Sequence, residues 1–402
     1  MASSVDHWKS FQKWEDNEEH TKSIAKLLAA ANFPILCSTA LKLRAETDNK
    51  NTSSSLKCTI DPTRFAGGMQ NLVLEVKFSD GISWIVRIRF PNDSDSRDEV
   101  EESILSEVAT MTYIRVNTNI PVPEVYGYDV SPSNAFGFRY VLMEMLPGRI
   151  IDHDSKNSIP TKKWAALADQ LAEYMYQLSK LRFSTIGRLL GADKTHLEEY
   201  ISPIGGGEPV TTSLEYFYTH RQNHTQLIKS DHEGDDDWAT AAWILEQAVP
   251  AMVVPEFSHG PFPLCHVDLH FEHILVDADL NITGIIDWSK VQTVPVERFT
   301  VMPEIAMFLG ASHEVTTRIG NFRQALKDGL RKREIKGRRD VEMPLISDLI
   351  GTPRWEIIYS CHYSHHSRAL TDVRLVMQQI YGSRARFRDF VEFYRNAPIH
   401  TE

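Results

Sequence analysis

The sequence predicts an α+β protein with two lobes, a small antiparallel β-rich lobe followed by a larger, mainly α-helical one. Its 402 residues exceed what one compact core usually holds. Three β-rich runs lie between residues 56 and 90, whereas apolar residues at helical spacing dominate after residue 160. Pro147-Gly148 is the clearest candidate hinge. We therefore predict domains at residues 1–145 and 146–402.

The composition is that of an ordinary globular protein, with 42% hydrophobic and 24% charged residues. A formal net charge of -11 argues against nucleic acid or an anionic membrane as a partner, because both require a basic surface. The four cysteines form no CxxC pair, which indicates reduced thiols. The N-terminus resembles no signal peptide and no run of 18 apolar residues occurs, so we expect a cytoplasmic location. The sequence does not indicate an oligomeric state.

The first predicted domain begins with helical residues 1–35, in which Trp8, Phe11 and Trp14 recur at a spacing of three. A polar loop at residues 46–55 follows. The predicted strands, which would form an antiparallel sheet, are residues 56–60, 71–78 and 82–90, with a tight turn at residues 79–81.

Paired glycines, Gly67 and Gly68, separate the first two predicted strands. Glycines let backbone amides approach a ligand closely, as they do in loops that bind phosphate. A plain hairpin turn explains the same residues and is the favoured interpretation. The sequence leaves both interpretations open.

Helices and one more strand complete the predicted order. Residues 103–114 form a helix with Glu107 beside its apolar face, and residues 140–145 form a strand. The helices predicted in the second domain are one marked by Trp164, Leu167, Leu171, Met175 and Leu178, one starting near Trp238, and two at residues 312–333 and 355–381. Adjacent histidines in the last of these, His365 and His366, would point to different faces.

The stretch from residue 265 to residue 288, CHVDLHFEHILVDADLNITGIIDW, combines a predicted β-hairpin with chemically active side chains. Its apolar runs at residues 274–277 and 282–286 are separated by four turn-forming residues. His266 and Asp268 lie on the segment that enters the hairpin. The pattern therefore predicts a functional loop beside a hairpin.

The pairing of this hairpin decides which polar groups meet. If Asp277 lies opposite Ile282, then His273 returns beside Ile286. Asp287 follows one residue later. We therefore predict that His273 and Asp287 share one end of the hairpin.

The segments HVDLHFEHILVD and ITGIIDW together resemble the signature of the aminoglycoside phosphotransferase and choline kinase superfamily. Its usual form is H-G-D-L-H-x-x-N, then a strand, a turn and I-D-W. The segments QTVPVERF, SEVATMTYIR and PVPEVYGYD resemble fungal members, and the resemblance covers about residues 55–383. It implies a protein-kinase-like fold and ATP-dependent transfer of a phosphoryl group to a hydroxyl of a small molecule.

The resemblance also implies roles for residues of the motif. Asp268 would be the catalytic base that orients the acceptor hydroxyl, and His266 would support its loop. Asp287 would hold Mg²⁺ that bridges the phosphates of the nucleotide. These three residues are the predicted catalytic and metal-binding centre.

In the first domain the resemblance implies a nucleotide site. Arg87 occupies the position of the lysine that pairs with the phosphates, and Glu107 that of its ion-pair partner. The backbone of Glu144, Met145 and Leu146 would bind adenine, and Gly67 and Gly68 would adjoin the phosphates.

Two positions depart from the family pattern. His273 replaces the asparagine that is the second metal ligand, and imidazole suits Mn²⁺ better than Mg²⁺. Arg87 replaces lysine, which keeps the charge but presents a planar, two-pronged group. The identity of the metal, Mg²⁺ or Mn²⁺, is therefore open.

Two other functions are compatible with the sequence. The substitution at His273 fits a kinase-fold protein that has lost phosphoryl transfer and binds or converts a metabolite in a biosynthetic pathway. A metal hydrolase would use Asp268, His270 and His273, with His259 or His266 as a further ligand. No motif identifies the acceptor.

Overall fold

The computed structural model divides the chain into two compact units, each discontinuous in sequence. The first comprises Met1–Ile159, Leu190–Leu197 and His270–Lys290, and the second comprises Pro160–Leu189, Glu198–Leu269 and Val291–Glu402. The residues that the structure describes are 8, 10–47, 56–91, 96–151, 159–191, 201–203, 207–301, 313–337 and 344–397. Most of the loop predicted at residues 46–55 lies outside them. The domain boundary predicted between residues 145 and 146 stays a prediction.

The described helices, in chain order, are α1 (Glu18–Ala30), α2 (Phe33–Thr47), α3 (Arg97–Asn117), α4 (Thr161–Lys180), α5 (Ser213–Asp231), α6 (Asp236–Gln247), α7 (Val249–Met252), α8 (Val296–Phe299), α9 (His313–Gly337), α10 (Ile346–Leu349), α11 (Pro353–Ile358), α12 (Ala369–Tyr381) and α13 (Phe387–Asn396). The described strands are β1 (Cys58–Gly67), β2 (Asn71–Phe78), β3 (Ser83–Arg89), β4 (Val125–Asp129), β5 (Tyr140–Glu144), β6 (Arg149–Ile150), β7 (Arg182–Phe183), β8 (Arg188–Leu189), β9 (Ile201–Ser202), β10 (Phe262–His266), β11 (Ile274–Val276), β12 (Ile282–Ile285) and β13 (Val291–Thr293).

An antiparallel sheet with the strand order β1-β2-β3-β5-β4 forms the centre of the first unit. The bounds predicted for β2 are confirmed. Because side chains alternate along a strand, one face of the sheet packs against α1 and α2, while Arg87 lies on the other face. The residues buried at the packed face are Ile24, Leu27, Leu36, Leu72, Leu74, Val76, Trp84, Val86 and Ile88.

The glycine pair lies at the turn between β1 and β2. Strand β1 is longer than predicted because an irregularity between Ile60 and Phe65 lets the pairing continue to Gly67. A Cβ atom at Gly67 would lie only 2.7 Å from the indole Nε1 of Trp14. The hairpin-turn interpretation is therefore confirmed, and a side chain at position 67 would require Trp14 to shift. A phosphate-binding role for Gly67 and Gly68 stays a prediction.

The predicted hairpin is present as β11 and β12, within the first unit. The backbone N–H of Ile286 donates to the carbonyl of His273 at 2.9 Å, so these residues are adjacent as predicted. The predicted pairing is wrong near the turn, because a bulge places Val276 rather than Asp277 opposite Ile282. The register at the functional end is correct.

The segment predicted as a hinge packs against this hairpin. Strand β6 pairs with β11, and the Thr283 hydroxyl donates to the carbonyl of Pro147 at 2.5 Å. Gly148 has a φ of +116°, and a Cβ there would lie 2.9 Å from the Val276 carbonyl oxygen. Pro147-Gly148 therefore forms a turn inside the first unit, which continues to Ile159.

The second unit is mainly helical, with β10 between β13 and β7 in a small sheet. Helix α4 packs against α9, where Arg333 donates to the carboxylate of Asp169 at 2.7 Å. The buried carboxylate of Glu297 accepts hydrogen bonds from the Ser213 hydroxyl at 3.1 Å and the Val254 N–H at 2.7 Å. These bonds connect α8 to α5 and to the loop after α7.

The prediction of one continuous helix at residues 355–381 is wrong. Helix α11 continues into a π-helical turn at Tyr359–Tyr363, and extended residues Ser364 and His365 then interrupt the path before α12. Because of this interruption, His365 and His366 do not point to different helix faces. Their ring centroids lie 4.0 Å apart.

No single described helix is long and apolar enough to cross a membrane. Taken together, helices α1 and α2 would be long and apolar enough, but the chain bends by 68° between them. Their apolar residues Ile24, Leu27 and Leu36 are buried in the core of the first unit.

Candidate functional site

Arg87 is the centre of a charged cluster in the first unit. Strand β3 presents it to Glu107 of α3, with which it forms an ion pair, and its Nη1 lies 3.7 Å from Oδ1 of Asp287. The Arg87 side chain is 12% exposed and that of Glu107 is 2% exposed. Burial lowers the pKa of Arg87, and the nearby Asp287 carboxylate opposes this effect. The cluster brings together three of the residues selected from the sequence.

Asp287 follows β12 and has an unusual backbone conformation. Its φ is +58°, a left-handed value that aspartate tolerates better than most residues other than glycine. The Ser289 hydroxyl donates to its Oδ1 at 2.7 Å. Such conformations are costly and occur often at functional sites, so the local structure fixes where this carboxylate points.

His273 lies beside Asp287, as predicted from the hairpin register. Its Nε2 is 3.3 Å from Oδ2 of Asp287. The His273 N–H donates to the carbonyl of His270 at 3.0 Å, and the two rings have centroids 3.6 Å apart. The imidazole is 13% exposed and the Asp287 side chain 37% exposed, so the carboxylate is the more accessible group.

The strand end selected for adenine binding also lies in the first unit. The carboxylate of Glu144 accepts from Arg115 Nη1 and from the Glu124 N–H, each at 3.2 Å. The Glu144 N–H itself donates to the Glu124 carbonyl at 2.8 Å. A hydrogen bond from a backbone N–H to adenine would therefore fall to Met145 or Leu146.

His266 and Asp268 belong to the second unit. His266 is the last residue of β10, is 7% exposed, and pairs with Val291 of β13. Asp268 is half-buried in the turn that follows. Asp268 lies on the predicted loop that enters the hairpin, whereas His266 was predicted on that loop and is instead the last residue of strand β10. Their catalytic roles stay predictions.

A histidine cluster in the second unit was not anticipated. Helix α5 places His220 and His224 one turn apart, and their centroids lie 4.4 Å from each other. The π-helical turn brings the ring centroid of His362 to 3.9 Å from that of His220. The Tyr216 hydroxyl lies 3.1 Å from His362 Nε2. The i, i+4 spacing was visible in the sequence. The third ring depends on a turn that periodicity does not reveal.

These histidines predict a loss of stability in acid. Burial lowers the pKa of His220 to about 4 and that of His224 to about 3, and it holds the pKa of His362 well below its ordinary value. The folded protein keeps them neutral, whereas the unfolded chain protonates them below about pH 6.5. Stability is therefore complete above that pH and falls as the pH drops toward 4. At pH 5 the neutral His220 should cost about 2 kcal/mol of stability.

Urea unfolding at pH 7.5 and pH 5 measures this loss. Replacing His220 with glutamine, which does not titrate, should reduce the difference between the two pH values by about 2 kcal/mol. An unchanged difference in His220→Gln would contradict the assignment of acid sensitivity to this residue.

Comparison with known proteins gives the family. The model of the phosphotransferase enzyme family APH matches residues 61–296, more than half of the chain. The protein therefore belongs to this phosphotransferase family, which confirms the resemblance found in the motif.

Among curated relatives, clavilactone A biosynthesis cluster protein Y of Ampulloclitocybe clavipes is 28% identical over 302 residues, which cover 70% of this chain and 67% of the relative. The mitochondrial protein altered inheritance of mitochondria 9 of Zygosaccharomyces rouxii is 28% identical over 109 residues. That match covers 25% of this chain and only 18% of the relative. The predicted similarity to fungal proteins is confirmed.

A solved structure supports the fold. The crystal structure of a candidate aminoglycoside phosphotransferase from Ralstonia eutropha JMP134 matches with a TM-score of 0.52 and 12% sequence identity. The match covers 89% of this chain and 94% of the other. The prediction of an α+β, two-lobed protein-kinase-like fold is confirmed.

Proposed function

We propose that this protein is an ATP-dependent phosphotransferase that transfers the γ-phosphoryl group to a hydroxyl of a small molecule. The observation that carries the proposal is the position of Arg87 between Glu107 and Asp287 in a member of a phosphotransferase family. Phosphoryl transfer depends mainly on positioning and on charge stabilisation of the phosphates. Buried Glu107 holds Arg87 in position, and Arg87 supplies positive charge next to the accessible carboxylate of Asp287.

The residues of the first unit would bind the nucleotide. Glu107 would hold Arg87 in place, and the Arg87 guanidinium would bind phosphate oxygens. Adenine would bind at the backbone of Met145 and Leu146, at the end of β5. Asp287 fits a divalent ion, because Mg²⁺ and Mn²⁺ bind carboxylates and its side chain is 37% exposed. When bound, such an ion would neutralise charge on the phosphates.

Asp268 would act on the acceptor. Its carboxylate would orient the hydroxyl and accept its proton while the acceptor oxygen forms a bond to the γ-phosphorus. The bond from that phosphorus to the bridging oxygen would break, and ADP would leave. His266 would support the Asp268 turn from the end of β10.

A small-molecule acceptor is consistent with the name of the Ampulloclitocybe clavipes relative, which refers to a biosynthesis cluster. The net charge of -11 disfavours nucleic acid or an anionic membrane as a partner. We propose a cytoplasmic location, because the four cysteines are free thiols, which a reducing compartment maintains.

Nucleotide binding is the first test of the proposal. ATP with Mg²⁺ or Mn²⁺, at 100 times its Kd, should stabilise the folded protein by about 2.7 kcal/mol. We expect thermal unfolding to shift upward by several degrees, and ATP consumption to follow when a metabolite library is added. The absence of any shift with either metal would count against the proposal.

A second function is favoured by one specific contact. The imidazole of His273 lies 3.3 Å from Asp287 where the family pattern has asparagine. A kinase-fold protein that has lost transfer would bind nucleotide or metabolite without consuming ATP. Metabolite binding with no ATP turnover would support this alternative.

The other function compatible with the sequence is a metal hydrolase. Tightly bound zinc or iron after purification would favour it.

A further inference from the structure

We infer that His273 and Asp287 form an imidazole–carboxylate site for a divalent ion that favours Mn²⁺ over Mg²⁺. The inference rests on the proposed function insofar as this is the ion that accompanies the nucleotide. It assigns to His273 a specificity that the asparagine of the family pattern would not provide.

The two oxygens of Asp287 have different surroundings. Oδ1 accepts the Ser289 hydroxyl at 2.7 Å and lies 3.7 Å from Arg87 Nη1. Oδ2 instead faces the imidazole of His273. An ion that binds through Oδ2 would leave the Ser289 hydrogen bond to Oδ1 intact and would lie next to His273.

The distance between the two candidate ligand atoms fits a shared ion. Ligands at about 2.1 Å from an octahedral ion, at right angles to each other, are roughly 3 Å apart. His273 Nε2 and Asp287 Oδ2 are separated by 3.3 Å. Only a small adjustment of the side chains would let both bind one ion.

The imidazole is held in place by its surroundings. The backbone of His273 is fixed on both sides, through the Ile286 N–H at 2.9 Å and the His270 carbonyl at 3.0 Å. Its ring lies against that of His270, with centroids 3.6 Å apart and ring planes inclined by 37°. A ligand held in this way loses little conformational freedom on binding an ion.

The ligand types determine which ion is favoured. Mg²⁺ strongly prefers oxygen ligands and retains water, so a nitrogen ligand adds little to its affinity. Divalent transition metals accept an imidazole nitrogen more readily than Mg²⁺ does, although Mn²⁺ binds such ligands more weakly than the later transition metals. An asparagine at position 273 would provide a carbonyl oxygen and remove this difference.

The experiment compares the wild-type protein with His273→Asn. Mn²⁺ is titrated with and without ADP and followed by electron paramagnetic resonance, and Mg²⁺ affinity is measured by competition. We expect His273→Asn to lower the ratio of Mn²⁺ affinity to Mg²⁺ affinity about tenfold. Pulsed spectra of bound Mn²⁺ should show coupling to a directly bonded imidazole nitrogen in the wild type and none in the variant.

His232→Asn is the matched control, because His232 lies in the second unit and stacks on Trp238. It should retain both the ratio and the nitrogen coupling. If His273→Asn does not fold, His273→Gln provides the same comparison with a neutral amide oxygen as the ligand. An unchanged ratio in a folded variant, or no nitrogen coupling in the wild type, would overturn the inference.

Nucleotide binding is measured separately with a fluorescent ATP analogue. Failure to bind it would contradict the proposed function. The titration with Mn²⁺ alone would still decide whether His273 is a ligand, so the two failures can be distinguished.

Discussion

Replacing Arg87 with methionine is expected to lower the free energy of unfolding by about 3–5 kcal/mol and to abolish nucleotide binding. The Glu107 side chain is 2% exposed, so loss of its partner leaves a buried carboxylate without a counter-charge. Urea unfolding measures the first effect, and titration with a fluorescent ATP analogue measures the second. Both measurements are made at neutral pH.

A second substitution separates stability from function. In Arg87→Met/Glu107→Leu both charges are absent, and replacement of a buried ion pair by apolar groups is often neutral for stability. We expect this double variant to recover most of the lost stability without recovering nucleotide binding. A double variant as unstable as Arg87→Met, or one that binds ATP as well as the wild type, would contradict the roles given to the pair.

The strands were predictable where local pattern and long-range pairing agree. Alternating apolar residues gave the bounds of β2, because one of its faces is buried against α1 and α2. Strand β1 is longer than predicted because a bulge lets its pairing with β2 continue to Gly67. The helix predicted at residues 355–381 failed because tertiary packing, and not periodicity, fixes the π-helical turn and the extended residues after it.

The candidate site was predictable to the extent that it depends on local register. The hairpin pairing placed His273 beside Asp287, and the family resemblance selected Arg87 and Glu107, which form an ion pair. The contact between Trp14 and Gly67 joins residues more than fifty positions apart. Such a contact leaves no periodic signal in the sequence. The same holds for His362 and His220, whose rings meet through a turn that the sequence pattern conceals.

Asp268 and Asp287 are expected to fail in different ways when each is replaced with alanine. Asp268→Ala removes the group that orients the acceptor and accepts its proton, which should lower the transfer rate by about 10²–10⁴ with nucleotide affinity unchanged. Asp287→Ala removes the carboxylate that would hold the metal, so both the rate and the affinity for metal–nucleotide should fall.

Asp279→Ala is the matched control, because Asp279 is exposed in the turn at the other end of the hairpin. It should change neither property. Transfer rates from ATP consumption and affinities from nucleotide titration are measured on the same preparations of all three variants. Equal losses of rate and affinity in Asp268→Ala and Asp287→Ala would show that the two carboxylates do not divide the work between acceptor and metal.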